Sequence, residues 1–287
     1  MAAVELGLSL VDARRLPELA ALAPLNAQAL ARFLGDSGIT PLVPAQTAVT
    51  HLYFGSEFCE HLFPEPPALE RAIATCTQLG LTLVLSTPIS NDRLLASILQ
   101  AVERLPAAAE VLVNDWGVAS AVRAAHPKRQ LVAGRQLAKT IKDPRLPSAA
   151  WMKPYPSGYG AAGHRRVLAR LGLRHIELDV PPFATAQTFA VADLAVSVWA
   201  PFAYVAKGRI CKIGSLRQAR EEKFAPGGAC HRECLSVREV ATAPSVSGLL
   251  SYARGNSIFY RHDSAMERAV CEALAQGSVS RIVLSQV

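Results

Sequence analysis

The chain has 287 residues, 51% of them hydrophobic and 18% charged, with a formal net charge of +7. That is ample material for a sizeable core, and the length suits two ordinary domains or one α/β barrel of about 250 residues. No apolar run reaches the roughly 18 residues of a membrane helix, which excludes a span of that kind. The positive balance permits an anionic ligand or a nucleic acid but selects neither. The start, MAAVELGLSLVDARRLPELA, has no basic stretch ahead of an apolar one, so it does not resemble an export signal. A cytoplasmic chain with reduced cysteines is therefore expected.

In chain order, residues 4–10 form a candidate strand, followed by an Ala- and Leu-rich helical stretch to about Leu34, broken near Pro24. Strands and helices then alternate. HLYFG (51–55), LTLVLS (81–86), EVLVN (110–114), LVAG (131–134), HIELDV (175–180) and LAVSVWA (194–200) are short apolar strands. SIFYR (257–261) and RIVLS (281–285) continue the series. Residues 68–80, 91–105, 117–126, 161–171 and 265–277 have helical spacing. Parallel strands joined by helical crossovers follow from this order. The count favours an irregular (β/α)8, TIM-barrel-like fold over an open sheet, as one domain over residues 1–287, with a cysteine-bearing loop inserted late in the chain.

In such folds functional side chains gather where strands run into loops. The rim so defined carries Glu57, Cys59, Ser86, Thr87, Asn114, Asp115, Arg135, Asp179, Arg261, His262 and Asp263. Asp115, Arg135 and Asp179 are the candidates for holding a small acidic or aromatic substrate. Arg135, Lys139 and Lys142 would share one face if their segment were helical, and could meet a carboxylate or a phosphate. No aromatic residue is interleaved with them, so a nucleic acid is possible but not favoured.

The densest signal is YVAKGRICKIGSLRQAREEKFAPGGACHREC, residues 204–234. It spaces Cys211, Cys230 and Cys234 as Cys-x18-Cys-x3-Cys in a basic segment broken by Pro226, Gly227 and Gly228. Three thiols in such a segment are better suited to a metal than to a core, and Cys59, also just after a strand, is the leading fourth ligand. His231 is a lower-ranked substitute. Four thiolates suit zinc or an iron–sulfur cluster, and the lack of a tight Cys-x2-Cys knuckle favours a 4Fe–4S cluster. Cys76 and Cys271 lie at helical spacing among apolar residues and are expected to be core.

LYFGSEFCEH resembles the strand–Gly–Glu–x–x–Cys segment of the collagenase-like proteins of U-type peptidase family 32. AYVAKGRICK is similar to that family's A-Y-S-A-R-C segment, which precedes a Cys-x3-Cys pair. The arrangement resembles most closely the UbiU/UbiV iron–sulfur subgroup, with residues 1–48 as a divergent N-terminal segment. The resemblance implies a barrel whose 4Fe–4S cluster is held by Cys59, Cys211, Cys230 and Cys234. It also implies oxygen-independent hydroxylation in ubiquinone synthesis, as a heterodimer with a UbiU-like subunit. Alternatives are hydroxylation of RNA bases, or a non-catalytic partner with a structural cluster. Peptidase activity has the least support, since no nucleophile motif is present.

Overall fold

The computed structural model describes residues 4–35, 42–138, 140–152, 158–208, 210–223 and 230–286. β1 (Glu5–Leu10) leads into α1 (Leu16–Ala20) and α2 (Ala27–Leu34), and the break between the two helices spans Pro24 as expected. There follow β2 (His51–Gly55), α3 (Pro66–Leu79), β3 (Thr82–Ser86), α4 (Asp92–Arg104) and β4 (Glu110–Val113). Next come α5 (Trp116–Ala125), β5 (Gln130–Ala133), α6 (Ala162–Arg170), β6 (His175–Leu178) and β7 (Ala195–Ala200). Four further strands, β8 (Phe202–Lys207), β9 (Glu239–Val240), β10 (Ser251–Arg254) and β11 (Ser257–Arg261), precede α7 (Ser264–Ala275) and β12 (Arg281–Leu284).

Among the described residues, β1 to β7 and β12 close a parallel barrel, with β12 seated between β7 and β1. The fold is therefore α/β, a (β/α)8-type barrel, and it is irregular in two places. A single 3-10 turn at Ala186–Phe189 stands where a helix would join β6 to β7. Between β7 and α7 the chain makes a separate antiparallel sheet in the order β8, β11, β10, β9. SIFYR, expected as one of the parallel strands, belongs to that sheet. The reason is local: Arg254 pairs with Ser257 across Gly255 and Asn256, and Gly255 takes the left-handed φ of +60° that a tight reversal needs. A hairpin leaves no room for a crossover helix.

Strand alternation sorts the barrel's side chains into two populations. Leu52, Phe54, Leu83, Leu85, Val111 and Val113 face the helices in the main core. Tyr53, Val84, Leu112, Val132, Trp199 and Val283 fill the interior as one layer, with the Tyr53 and Trp199 rings edge to face at 5.5 Å. Below them, at the strands' N-terminal ends, Arg281 bonds Glu110 and the Tyr53 hydroxyl, each at 2.8 Å, and Glu5 at 2.7 Å. Above them is the mouth where the strands end. The small sheet lies across it: Asn256 donates to the Phe58 carbonyl at 2.9 Å, and the Phe58 ring packs on Tyr204 and Phe259.

No helix among the described residues is long and apolar enough to cross a membrane.

Gly55 ends β2 with φ +109°, and a Cβ there would sit 2.8 Å from the Ser86 carbonyl oxygen. Both the backbone angle and the space exclude a side chain. Gly55→Ala is expected to destabilise the protein by more than about 1 kcal/mol, read as a lower urea midpoint at unchanged slope.

Candidate functional site

The mouth is organised by Arg135, which leaves the end of β5 and is buried. Its Nε and Nη2 donate to Glu57, the latter at 2.7 Å, and its Nη1 donates to Asp179 at 2.8 Å. The guanidinium carbon lies 4.0 Å from the Trp199 ring centroid. Lys142 donates to the other oxygen of Asp179 and stands 3.2 Å from the Tyr204 ring centroid. Two cations against two carboxylates leave the buried group formally neutral, which is what lets these charges stay in the interior.

The pair is electrostatically uneven. Burial raises the carboxyl of Glu57 against the pull of Arg135. Burial also opposes ionisation of Asp179, but Lys142 and Arg135 together hold it below the usual carboxylate range. Lys142 is pushed down to about 8 by burial in spite of Asp179. Two carboxyls on one arginine, shifted in opposite directions, can divide the roles of proton holder and standing charge.

Arg135 and Lys142 do meet at one place, though not through a helix. Residues 135–137 form a turn, so the expected shared helical face is corrected. Each cation instead reaches into the mouth for a carboxylate. Lys139 lies outside the described residues, as do Arg209, Pro226, Gly227 and Gly228.

Asp115 stands apart from Arg135 and Asp179. Its carboxylate accepts the Gly117 and Val118 N–H groups and so caps α5. Asp263 caps α7 in the same way. Thr87 and Asn114 pin neighbouring strand ends together: the Thr87 hydroxyl donates to the Leu112 carbonyl, and the Asn114 amide to the Thr87 carbonyl. His262 is buried without a hydrogen-bond partner on either ring nitrogen, and burial pushes it down to about 3. Cys76 is buried on α3, where burial pushes its thiol up to about 12, and Cys271 sits half-buried on α7.

The other four cysteines stand above the charged network. Cys59 follows β2, on a turn where Ser56 Oγ accepts the Phe58 and Cys59 N–H groups. Cys234 packs against the Gly255 turn, where a Cβ would lie 3.7 Å from its sulfur. Cys59 and Cys234 line one cavity of about 70 Å3, together with Glu57, Arg135, Trp199 and Phe259. Cys211 Sγ accepts the Gly214 N–H at 3.2 Å. Burial raises the Cys59 thiol, and the nearby Cys230 and Cys211 add to it. Burial pushes Cys234 up to about 11 against the pull of Arg254, with Cys59, Cys211 and Cys230 contributing. Cys59 and Cys234 are thus each within electrostatic reach of Cys211 and Cys230. His231 is exposed.

They do not form a ready-made cage. Among the described residues no three or more His, Cys, Asp or Glu side chains are grouped so as to hold a metal ion, so the expected metal-binding set gains no support from the structure. Metal binding to thiols displaces their protons, so a thiol set need not be drawn together before the metal arrives.

No family model matches the chain, and no curated protein matches it. Similar solved structures include a glycoside hydrolase family 18 N-acetylglucosaminidase from Paenibacillus barengoltzii, at 10% identity and TM-score 0.39, covering 99% of this chain and 95% of that one. The spore cortex-lytic enzyme SleL of Bacillus megaterium matches at 9% and 0.41, over 98% of this chain and 70% of that one. A family 18 chitinase from Cycas revoluta matches at 10% and 0.31, over 98% and 94%. At these values the likeness carries no activity across. Two of these matches are carbohydrate-cleaving enzymes by name, an N-acetylglucosaminidase and a chitinase, where the expectation was a protein of ubiquinone synthesis. Oxygen-independent hydroxylation, on a ubiquinone precursor or on RNA bases, is corrected and set aside, since no family model, curated protein or solved structure found in these comparisons supports it.

The residue that sequence reading undervalued is Glu177. It projects from β6 into the barrel interior, where Trp199 Nε1 donates to Oε2 at 2.5 Å and Oε1 has no partner. Strict alternation along HIEL put it there, between the outward Ile176 and Leu178. Burial, reinforced by the charge of Glu57, pushes its carboxyl up to about 8 from 4.5 in open water. Such a group supports folding fully below about pH 4.5 and loses that support as pH rises through about 8. The stability difference between wild type and Glu177→Gln, from urea unfolding, should fall steadily across that window. A flat difference would show an ordinary carboxyl.

Proposed function

We propose that the barrel mouth is a thiolate cofactor centre, in which Cys59, Cys211, Cys230 and Cys234 hold a 4Fe–4S cluster over a buried acid–base site for a small polar substrate. The carrying observation is that thiols from distant parts of the chain act on one another: Cys59 and Cys234 line one cavity, and each feels Cys211 and Cys230. The donor set fits the group, since thiolates are the usual ligands of such clusters. Their spacing along the chain, without a tight Cys-x2-Cys knuckle, fits a cluster better than a single zinc ion. Lys207 and Arg254 stand close enough to Cys59 and Cys234 to offset part of the negative charge of four thiolates. The resemblance of both cysteine-bearing segments to family 32 proteins supports the same ligands.

A bound cluster supplies one-electron chemistry or a Lewis-acidic iron. The protein's own residues do the rest. Arg135 and Lys142 hold the two carboxyls in place below a substrate entering the mouth, Glu57 is placed to hold a proton, and Asp179 stays charged and fixes both cations. Phe58, Tyr204 and Phe259 cover this network with aromatic surface and keep water from it.

Protein isolated without oxygen should be brown, absorb broadly near about 400 nm and contain about four irons and four sulfides per chain. Cys59→Ser should lose most of that iron while keeping its far-UV circular dichroism. Colourless metal-free protein, or protein holding stoichiometric zinc, would sink the cluster.

A further inference from the structure

The barrel carries a one-sided charge on the flank away from the thiols. Residues 116–174 hold twelve lysines and arginines against a single acid, Asp143. Arg135 and Lys142 are taken up in the mouth, and Arg145 pairs with Asp143 at the surface. Lys139 and Lys153 lie outside the described residues. The other seven run from the second half of α5, through the turn before β5 and along α6, to the residue before β6.

Two of these seven brace the fold. Arg123 donates to the Leu171 and Pro127 carbonyls at 2.8 and 2.6 Å, and Arg129 donates to the Pro106 carbonyl at 2.6 Å. Carbonyl oxygens fix these guanidiniums without supplying a countercharge. Beside them a groove of about 570 Å3 runs between α6 and the starts of β6 and β7, lined by Arg165, Arg166 and Arg174 over Leu168 and Leu173. Gly172 in its wall brings Arg123 to the same place, since a Cβ there would lie 3.4 Å from Arg123 Nη2. The one acid among the described lining residues, Asp193, pairs with Arg165 at 3.2 Å. Arg166 and Arg174 are exposed, as is Arg170, one turn along α6 from Arg166. Among the described residues none of these three forms a salt bridge.

Such an excess of one sign draws a partner of dense negative charge. Arginine's planar fork matches phosphate oxygens two at a time. A protein partner would want an apolar centre ringed by charge, but here Leu168 and Leu173 are buried beneath the arginines. A lipid surface gains its hold from inserted apolar side chains, and Val167 is the one large apolar residue exposed on α6. No aromatic residue is among the described lining residues, so nothing there stacks on the bases of a single strand.

We propose that this flank binds the phosphate backbone of a double-helical nucleic acid through Arg166, Arg170 and Arg174, without reading its sequence. The inference stands whether or not the four thiols hold a metal, because none of its residues belongs to the mouth.

The test is fluorescence anisotropy of the full chain with a labelled DNA duplex of about 20 base pairs, from about 50 to about 200 mM sodium chloride. Three neutralised phosphates give a log–log salt slope of about −2.7, so affinity should fall about 40-fold over that range. An RNA duplex of the same sequence, run in parallel, separates the two kinds of backbone, and binding to either supports the site. Arg166→Gln combined with Arg174→Gln should flatten the slope by about two and lower affinity at least about tenfold at the lower salt, with far-UV circular dichroism unchanged. Lys212→Gln combined with Arg217→Gln, on the cysteine-bearing segment, should bind as wild type. Phosphatidylserine vesicles and polyglutamate, supplied at equal total charge, should compete poorly. No signal with either duplex at about 100 μM protein overturns the site, as does a signal indifferent to salt. So does an Arg166 and Arg174 variant that binds as wild type, a loss confined to the Lys212 and Arg217 variant, or equal competition by vesicles or polyglutamate.

Discussion

The mouth of this barrel depends on one buried guanidinium held between two carboxylates. Arg135 comes from the end of β5, Asp179 from the end of the adjacent β6 and Glu57 from the loop after β2, so a single side chain ties two neighbouring strand ends to a third across the ring. An unpaired charge in this position would cost several kcal/mol, so the three groups are obliged to find one another. Once they do, the next two residues after Glu57 have little freedom. Phe58 is aimed at Tyr204 and Phe259, and Cys59 at the cavity it shares with Cys234. The sulfur's location is set by a salt bridge that never touches it.

The interior is stacked in three tiers, and strand alternation explains their order. Arg281, Glu110 and His51 make a charged floor, the layer around Tyr53 and Trp199 is apolar, and the Arg135 group makes a charged roof. Glu177 interrupts the apolar tier with one carboxyl that stays protonated near neutrality. The floor's charges are nearly balanced within themselves and hold strand starts together, whereas the roof opens toward the cavity. That difference puts a closed ion-pair network at one end of the barrel and the cavity at the other.

Much of the fold was legible because short apolar runs alternate with helical spacing. His51–Gly55 and Ser257–Arg261 were placed with the same limits that the structure shows, and most other elements shift by one or two residues. The small sheet was not legible. Phe202–Lys207 follows β7 after a single residue and looks like its continuation, and Glu239–Val240 is too short to carry a period. The Gly255-Asn256 turn was a signal that could have been used, since glycine beside asparagine between two strand-like runs marks a hairpin. At the site, the roles of Glu57 and Lys142 depend on where three loops meet, and no spacing in the chain encodes that. Asp115 illustrates the converse: an acid at a strand's end is as readily a helix cap as a catalyst, and its two N–H partners decide the matter.

Cys59 rides on the barrel, while Cys211, Cys230 and Cys234 belong to the stretch between β8 and β10 that hangs from the small sheet. These two bodies touch through ring contacts and a few hydrogen bonds, such as that from Asn256 to the Phe58 carbonyl. Anything that draws the sulfurs together thus also rivets the sheet onto the barrel rim. A group held by all four sulfurs would add a bridge between barrel and sheet to these few contacts.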